Sequence, residues 1–195
     1  KKNNVDVLWF SPINESPMKD GGYDVSNYRE VNPEFGTKDE LKKLIDETHK
    51  MGMKIIIDFV GAHTSNEHEW FQKYLAGDKE YKDFYVEAKP NEETASPYPN
   101  NWMNCLTNGP AWTPRVKVNA ETGKDEMVYT ANNFLPEQPL LNVNNEKVQK
   151  ALMAEMEYLT DLGVDGFRLD AFLMMGFNPD LPNNPRKGHG DVVYN

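Results

Sequence analysis

The sequence has 195 residues, of which 38% are hydrophobic, and a formal net charge of −10 at pH 7. That length suffices for one domain with its own core or for a piece of a larger one. The negative charge repels nucleic acid and anionic membranes, so we expect neither as a partner. One cysteine excludes an internal disulfide, and no apolar run approaches the ~18 residues of a membrane span.

Both ends of the chain look like cuts through a longer protein. Lys1 is followed almost at once by a strand-like run, and Asn195 ends a stretch rich in glycine, asparagine and proline. No leader peptide is recognisable. We therefore expect a cytoplasmic protein, while a secreted or periplasmic one stays open because a leader could precede Lys1. The sequence does not indicate an oligomeric state.

The first elements in chain order are a strand, a helix and a second strand. A β-rich apolar run at 5–10 predicts a buried strand. After a loop, Thr37 and Glu40 form the capping box of a helix that ends near Gly52. A second buried strand follows at 54–60. Strand, helix and strand in this order predict a βαβ unit with parallel strands.

The pattern changes in the middle of the chain. Residues 64–136 mix aromatic, proline and acidic residues without a sustained period, apart from a hairpin predicted at 116–118 and 127–129. Such a segment is too long for a plain loop, so we predict a small inserted domain. The chain then divides into a first barrel part, 1–63, the insertion, 64–136, and a continued barrel part, 137–195.

The last elements complete an α/β pattern. Asn144 or Asn145 caps a second helix that ends at Gly163, and a third strand is predicted at 166–172. Prolines and asparagines at 178–185 indicate a loop. The order of elements predicts an α/β fold, namely an open part of an α/β barrel with one insertion.

The third predicted strand carries a pair of charged side chains. Arg168 and Asp170 alternate along the strand, so both point to one face. An arginine beside a carboxylate keeps it ionised, which suits a nucleophile in glycoside hydrolysis. The same pair is also compatible with a structural ion pair inside a barrel.

Other polar residues follow the first two strands, where a parallel α/β array binds its ligands. Asp20 and Tyr23 follow the first strand, and His63 follows the second strand, which itself contains Asp58. His63 and His68 lack the i, i+4 spacing of a zinc-binding helix, so we predict no metal there. Each of these residues also has a structural interpretation, as a turn former or as a hydrogen-bonded core histidine.

Taken together, several stretches resemble the α-amylase superfamily, in particular its oligosaccharide-cleaving α-glucosidase branch. The resemblance implies strands two to four of a (β/α)8 TIM barrel, with a small domain inserted after the third strand. The stretches are 20–28 (DGGYDVSNY), 34–37 (EFGT), 58–65 (DFVGAHTS), 67–71 (EHEWF) and 166–171 (GFRLDA).

The resemblance also implies a role for each candidate site residue. Asp170 matches the catalytic nucleophile and Arg168 the arginine that keeps it charged. Asp20 matches a carboxylate that binds the terminal glucose, Tyr23 a ring beneath that sugar, and His63 a histidine that hydrogen-bonds it. The implied function is a retaining α-glucosidase that acts on the ends of short oligosaccharides or α-glucosides.

The chain departs from the family pattern at three positions. Ala62 and Leu140 stand where the family usually has asparagine and aspartate, and Asn27 where aspartate is common. Ala62 and Leu140 remove polar groups where some amylases bind calcium, so we expect no cofactor here; a calcium or magnesium site would lie outside these residues. Ala171 is small, which in this branch accompanies α-1,4 specificity.

The resemblance leaves the complete reaction open. The general acid of the family, a glutamate, would lie beyond Asn195, so we expect the 195 residues alone to hydrolyse nothing. A transglycosylating or isomerising enzyme that forms trehalose or isomaltulose would use the same nucleophile. A non-catalytic, transporter-associated homologue is a third possibility.

Overall fold

A parallel sheet of three strands lies at the centre of the computed structural model, which describes residues 4–91, 96–178 and 180–183. No helix of the described residues combines the length and the apolar character needed to cross a membrane. The elements are β1 (Val7–Phe10), β2 (Asn14–Glu15), β3 (Asn27–Val31), α1 (Lys38–Lys50), β4 (Lys54–Val60), α2 (Glu69–Leu75), β5 (Glu87–Ala88), β6 (Trp112–Val118), β7 (Asp125–Ala131), α3 (Glu146–Leu162) and β8 (Gly166–Asp170).

The central sheet has the order β1-β4-β8, and both neighbouring pairs are parallel. The predicted parallel strands are therefore confirmed. In the register of β4 and β8, Asp58 lies opposite Arg168 and Val60 opposite Asp170. Because side chains alternate along each strand, this register brings the polar side chains of Asp58, Arg168 and Asp170 to one face near the carboxyl ends.

The third strand is shorter than predicted, and its backbone gives the reason. The strand was expected at 166–172 but ends at Asp170. Ala171 has a φ of 47°, in the left-handed region, which no strand can accommodate. A 3-10 turn (Phe172–Met174) follows directly. The chain thus turns sharply just beyond Asp170.

Helix α1 begins where the sequence predicts. The Thr37 side chain accepts a hydrogen bond from the Glu40 backbone, and the Glu40 side chain accepts one from the Thr37 backbone. This reciprocal pair satisfies two N–H groups that the first turn otherwise leaves free. Leu41 and Ile45 are buried on one face, which packs the helix against the sheet.

Helix α3 is capped at both ends. Asn145, rather than Asn144, is the N-cap, and its side chain accepts a hydrogen bond from the Lys147 backbone. Gly163 ends the helix with a φ of 116°, a conformation that glycine adopts without a steric penalty. Both ends of α3 are therefore defined by local contacts, and β8 begins shortly after Gly163.

A second sheet, antiparallel and of order β5-β7-β6, lies within 64–136. Its β6–β7 hairpin runs from the pair Trp112–Ala131 to the pair Val118–Asp125, so it is longer than the predicted 116–118 and 127–129. Gly123 occupies the turn. The outer part of the hairpin was missed because it contains Pro114, which has no backbone N–H to donate and therefore argues against a strand in a sequence pattern.

Two hydrophobic clusters hold the elements together. The larger one joins the central sheet to its helices and also takes in Trp70, Phe71 and Tyr74 of α2. The smaller one contains Trp112 of the second sheet and Trp102, whose rings stack on each other. Residues 64–136 thus contribute to both clusters, and the division into 1–63, 64–136 and 137–195 stays a prediction. The loop expected at 178–185 lies partly outside the described residues. Residues 184–195 of the third segment lie wholly outside them.

Candidate active site

A cavity of about 550 Å³ opens at the carboxyl ends of the parallel strands. The structure brings all five candidates to it, although they come from loops and strands far apart in the sequence. Such convergence of charged and hydrogen-bonding side chains at this end of a parallel sheet is typical of a ligand site. The lining candidates are Asp20, Tyr23, His63, Arg168 and Asp170.

Asp58, on β4, connects three of the neighbouring side chains. It is 1% exposed, and both of its carboxylate oxygens are hydrogen-bonded. Oδ1 accepts from the indole N–H of Trp9 at 2.7 Å. Oδ2 accepts from the Tyr23 hydroxyl at 2.8 Å and from Arg168 at 3.0 Å. The sequence placed Asp58 in the strand without a role, although Asp58 is the first residue of the family-like stretch 58–65, which was the signal that could have suggested one.

Arg168 lies between two carboxylates. Its Nη1 donates to Oδ2 of Asp58 and to Oδ1 of Asp170. Partial burial acts to lower the pKa of Arg168, but the hydrogen bond and charge of Asp170, with the charge of Asp58, outweigh it and raise the pKa. The guanidinium therefore stays charged and orients Asp170 at the cavity wall.

Tyr23 contributes a ring and a hydroxyl donor to the cavity. Burial, together with the hydrogen bond and charge of Asp58, raises the pKa of Tyr23 to about 12. The phenol therefore stays protonated and donates to Asp58 at ordinary pH. This bond fixes the ring, whose face can support an apolar face of a ligand.

A tight turn presents Asp20 to the cavity. Asp24 is fully buried, and its Oδ1 accepts from the Asp20 backbone N–H at 3.1 Å and from the Ser16 hydroxyl at 2.8 Å. Its Oδ2 accepts from the Lys19 backbone N–H at 2.9 Å. Asp24 thus acts as the internal brace of the turn, while the Asp20 carboxylate is left to contact the cavity.

Gln138 holds Asp20 from the other side, and sequence reasoning missed it. Its side chain is fully buried, and Oε1 accepts from the Leu135 backbone N–H at 3.0 Å. Because a backbone N–H can only donate, the amide orientation is set, and Nε2 faces Asp20 Oδ2 at 2.9 Å and His63 Nε2 at 3.1 Å. The sequence drew attention only to the adjacent Leu140.

His63 lines the cavity but is only 1% exposed. Its Nε2 lies 3.0 Å from the Tyr23 carbonyl oxygen, while its Nδ1 is buried and has no partner among the described residues. Burial lowers the pKa of His63, against the opposing effects of the Tyr23 carbonyl and of the Asp170 charge. The ring is therefore neutral, and whether it contacts a ligand directly stays a prediction.

Ala62 and Leu140, which depart from the family pattern, lie next to the His63 backbone. Ala62 and Leu140 are both buried, and the backbone of His63 pairs with that of Leu140. The Ala62 carbonyl also accepts from the Leu141 N–H at 2.9 Å.

Among residues 4–91, 96–178 and 180–183, no group of three His, Cys, Asp or Glu side chains is placed to hold a metal ion.

One side of the cavity is apolar. It is formed largely by the turn after β8, where Leu173 is 76% exposed. Together with the polar candidates, these residues give the cavity both polar and apolar lining. The apolar lining residues are Leu106, Phe134, Phe172, Leu173 and Met174.

Comparison with known proteins identifies related sequences along the whole chain. The family model described as the catalytic domain of alpha amylase matches residues 1–195. An alpha-glucosidase of Culex pipiens is 41% identical over 186 residues, which cover 95% of this chain and 30% of that protein. An oligo-1,6-glucosidase of Parageobacillus thermoglucosidasius is 38% identical over 190 residues, covering 96% and 32%. The chain spans about a third of the length of these curated relatives.

Solved structures agree with the sequence matches. A trehalose-6-phosphate hydrolase of Bacillus licheniformis has a TM-score of 0.82 at 35% identity, covering 95% of this chain and 31% of that chain. The isomaltulose synthase of Protaminobacter rubrum has a TM-score of 0.82 at 34% identity, covering 94% and 31%. The structural relatives therefore include a hydrolase and a synthase.

Proposed function

We propose a function from the premise that this chain belongs to the α-amylase catalytic-domain family. The chain is part of a retaining α-glucosidase that releases terminal α-linked glucose from short oligosaccharides or α-glucosides. The catalytic domain of this family is a TIM barrel, and we assign β1, β4 and β8 to its second, third and fourth strands. Residues 64–136 are then a small domain inserted after the third strand.

One observation carries the proposal. Five side chains that the family resemblance singles out line a single cavity, and hydrogen bonds connect three of them, Tyr23, Arg168 and Asp170, through Asp58. A structural ion pair between Arg168 and Asp170 would not require Asp20 and His63 to lie at the same cavity. The arrangement therefore favours a site over a merely structural pair.

In the proposed reaction, Asp170 acts as the nucleophile. Its carboxylate attacks the anomeric carbon while the glycosidic C–O bond breaks and the leaving oxygen takes a proton from a general acid. Water then attacks the same carbon and gives a proton to the conjugate base, which releases glucose and restores the carboxylate. Arg168 holds Asp170 in position and stays charged throughout.

A second carboxyl group is needed about 5–5.5 Å from the nucleophile in retaining enzymes. Asp58 is unsuited to this role, because it is buried and its oxygens already accept hydrogen bonds from Trp9, Tyr23 and Arg168. We therefore propose that the general acid comes from a part of the protein outside these 195 residues.

The remaining candidates bind the terminal glucose in this proposal. The Asp20 carboxylate accepts hydrogen bonds from sugar hydroxyls, the Tyr23 ring lies against the sugar face, and His63 completes the polar wall. In this proposal none of these residues holds a metal or other cofactor, and a calcium or magnesium site would lie outside these 195 residues. Because these groups surround one sugar unit, the enzyme acts on chain ends rather than within polymers.

The proposal is tested with the full-length protein and an aryl α-glucoside. We expect hydrolysis in which NMR detects α-glucose as the first product, and a loss of kcat of at least about 10⁴-fold in Asp170→Asn. Asp161→Asn, at an exposed carboxylate on α3, should leave kcat unchanged. β-Glucose as the first product, or full activity of Asp170→Asn, would rule the proposal out.

An isomerising or transglycosylating enzyme is the second candidate, since isomaltulose and trehalulose synthases are among the structural relatives. Such an enzyme passes the glucosyl group from Asp170 to a sugar hydroxyl instead of to water. Chromatography of the products formed from sucrose and from maltose separates the two candidates, because only transfer yields new disaccharides. A non-catalytic homologue would form neither glucose nor disaccharides.

A further inference from the structure

We infer that Trp9 is a positioning residue for the reaction: through Asp58, its indole N–H holds Arg168 and Tyr23 in the arrangement that aims Asp170 at the substrate. The inference rests on the proposed function.

The Trp9 indole crosses from one strand to the next. Trp9 lies on β1 opposite Ile56 of β4, and Asp58 is two residues further along β4 on the same face. The indole N–H reaches Asp58 Oδ1 at 2.7 Å. The ring itself is 61% exposed among the described residues, so the bond to Asp58, rather than burial, is what distinguishes tryptophan from another aromatic residue here.

The Asp58 carboxylate divides its bonds between its two oxygens. Trp9 donates to Oδ1, while Tyr23 and Arg168 both donate to Oδ2. The side chain is fully buried, so water cannot replace a missing donor. Without the indole N–H, Oδ1 would lack a partner, and rotation of the carboxylate would let Arg168 bond to Oδ1 instead.

This rotation would reach the nucleophile through Arg168. The same Nη1 atom that donates to Asp58 also donates to Asp170. A shift of the guanidinium towards Asp58 Oδ1 therefore draws it away from Asp170. Trp9 thus acts by keeping Oδ1 occupied, so that Arg168 stays on the side of Asp58 that faces the nucleophile.

The effect should appear in turnover more than in binding. Of the groups proposed to bind the terminal glucose, Asp20 is held by Gln138, and His63 Nε2 lies 3.0 Å from the Tyr23 carbonyl oxygen, so neither side chain depends on Asp58. Only the Tyr23 hydroxyl bonds to Asp58. Loss of the Trp9 N–H should therefore lower kcat more than it raises KM. A general loss of structure would instead reduce the number of competent sites.

The test uses the full-length enzyme with two changes at position 9. Trp9→Phe removes the N–H and part of the ring. Replacement of Trp9 by 3-benzothienylalanine removes the N–H but keeps the bicyclic shape. Trp112→Phe is the matched control, because its indole also donates to a side-chain oxygen at 2.7 Å, that of Asn100, within the second cluster. kcat is expressed per active site titrated with a slowly hydrolysed fluoroglucoside.

We expect kcat to fall about tenfold in both Trp9 variants, the effect of losing one hydrogen bond to a charged group. KM should change less than about twofold, and Trp112→Phe should keep the wild-type kcat. A benzothienyl variant with wild-type kcat would overturn the inference, as would an effect confined to KM. A wild-type enzyme without α-glucosidase activity would refute the proposed function itself, and the inference with it.

Discussion

Gln138 donates a hydrogen bond of 2.9 Å from Nε2 to Asp20 Oδ2, across 118 positions of the sequence. The bond joins the segment that returns from the second sheet to the turn that follows β2. Because the Leu135 backbone N–H fixes the opposite end of the amide, Gln138 has no alternative orientation that keeps both contacts. Asp20 is therefore presented to the cavity by a buried and rigid partner.

Gln138→Met should weaken substrate binding in the full-length enzyme. Methionine has a similar length but no N–H groups, so Asp20 loses a donor and the Leu135 N–H loses its acceptor. We expect KM for an aryl α-glucoside to rise about tenfold with a smaller change in kcat. Gln149→Met is the control, because Gln149 is exposed and its Nε2 bonds only to the Val143 carbonyl. Equal KM values in the two variants would exclude a role for Gln138 in holding Asp20.

Ala171→Val should shift linkage preference from maltose towards isomaltose. A branched side chain beside the proposed nucleophile crowds the approach of one linkage more than the other. The φ of Ala171 is 47°, so valine also costs about 1–2 kcal/mol of stability. Ala171→Gly is the control, because it relieves the backbone without adding bulk and should keep the preference for maltose. A wild-type enzyme that prefers isomaltose would contradict this prediction.

Because part of the cavity lining is apolar, we expect the full-length enzyme to prefer substrates with apolar leaving groups. We expect kcat/KM for alkyl α-glucosides to rise about twofold with each added methylene, less than full burial would give, because Leu173 is largely exposed. Leu173→Asn should flatten this dependence. Met153→Asn, at an exposed apolar residue on α3, should not. A wild-type series that is independent of chain length would show that the leaving group does not contact this surface.

Asp165 lies just before β8, at the end of the sheet opposite the cavity. We expect it to make a pH-dependent contribution to the free energy of unfolding. Burial acts to raise the pKa of Asp165, but hydrogen bonds from Lys54, His49 and the Ile55 backbone prevail and lower it to about 2. A lowered native pKa stabilises the fold above the ordinary value of 3.8, and this contribution is lost as the pH falls towards 2.

Asp165→Asn should therefore lower the free energy of unfolding at pH 7, by no more than about 1 kcal/mol because water partly screens these pairs. The difference from wild type should shrink at pH 3. Denaturant unfolding of the full-length protein at both pH values measures it, with Asp161→Asn as the exposed control. A larger difference in the free energy of unfolding at pH 3 than at pH 7 would contradict a lowered pKa of Asp165 in the folded protein.

The sequence predicted local structure better than contacts. The capping box at Thr37 and the stop at Gly163 depend on residues close in sequence, and both are present. The positive φ of Ala171 was not foreseen, because alanine rarely adopts it and the neighbouring residues do not signal it. The strand was therefore predicted two residues too long.

The candidate site was predictable only where a family motif marks it. The five lining residues lie in quoted motifs, and the structure brings them to one cavity. The supporting residues Trp9 and Gln138 act through partners 49 and 118 positions away. Nothing in their local sequence indicates these contacts, since tertiary packing alone decides which buried donor meets which acceptor.

The most direct test of the central claim is to identify the residue that becomes covalently linked to glucose. The full-length enzyme is treated with 5-fluoro-α-glucosyl fluoride, digested with pepsin and analysed by mass spectrometry. We expect one fluoroglucosyl group on the peptide that contains Asp170, and no label in Asp170→Asn. A label on another carboxylate, or turnover of this reagent without any covalent intermediate, would contradict the assignment of Asp170 as the nucleophile.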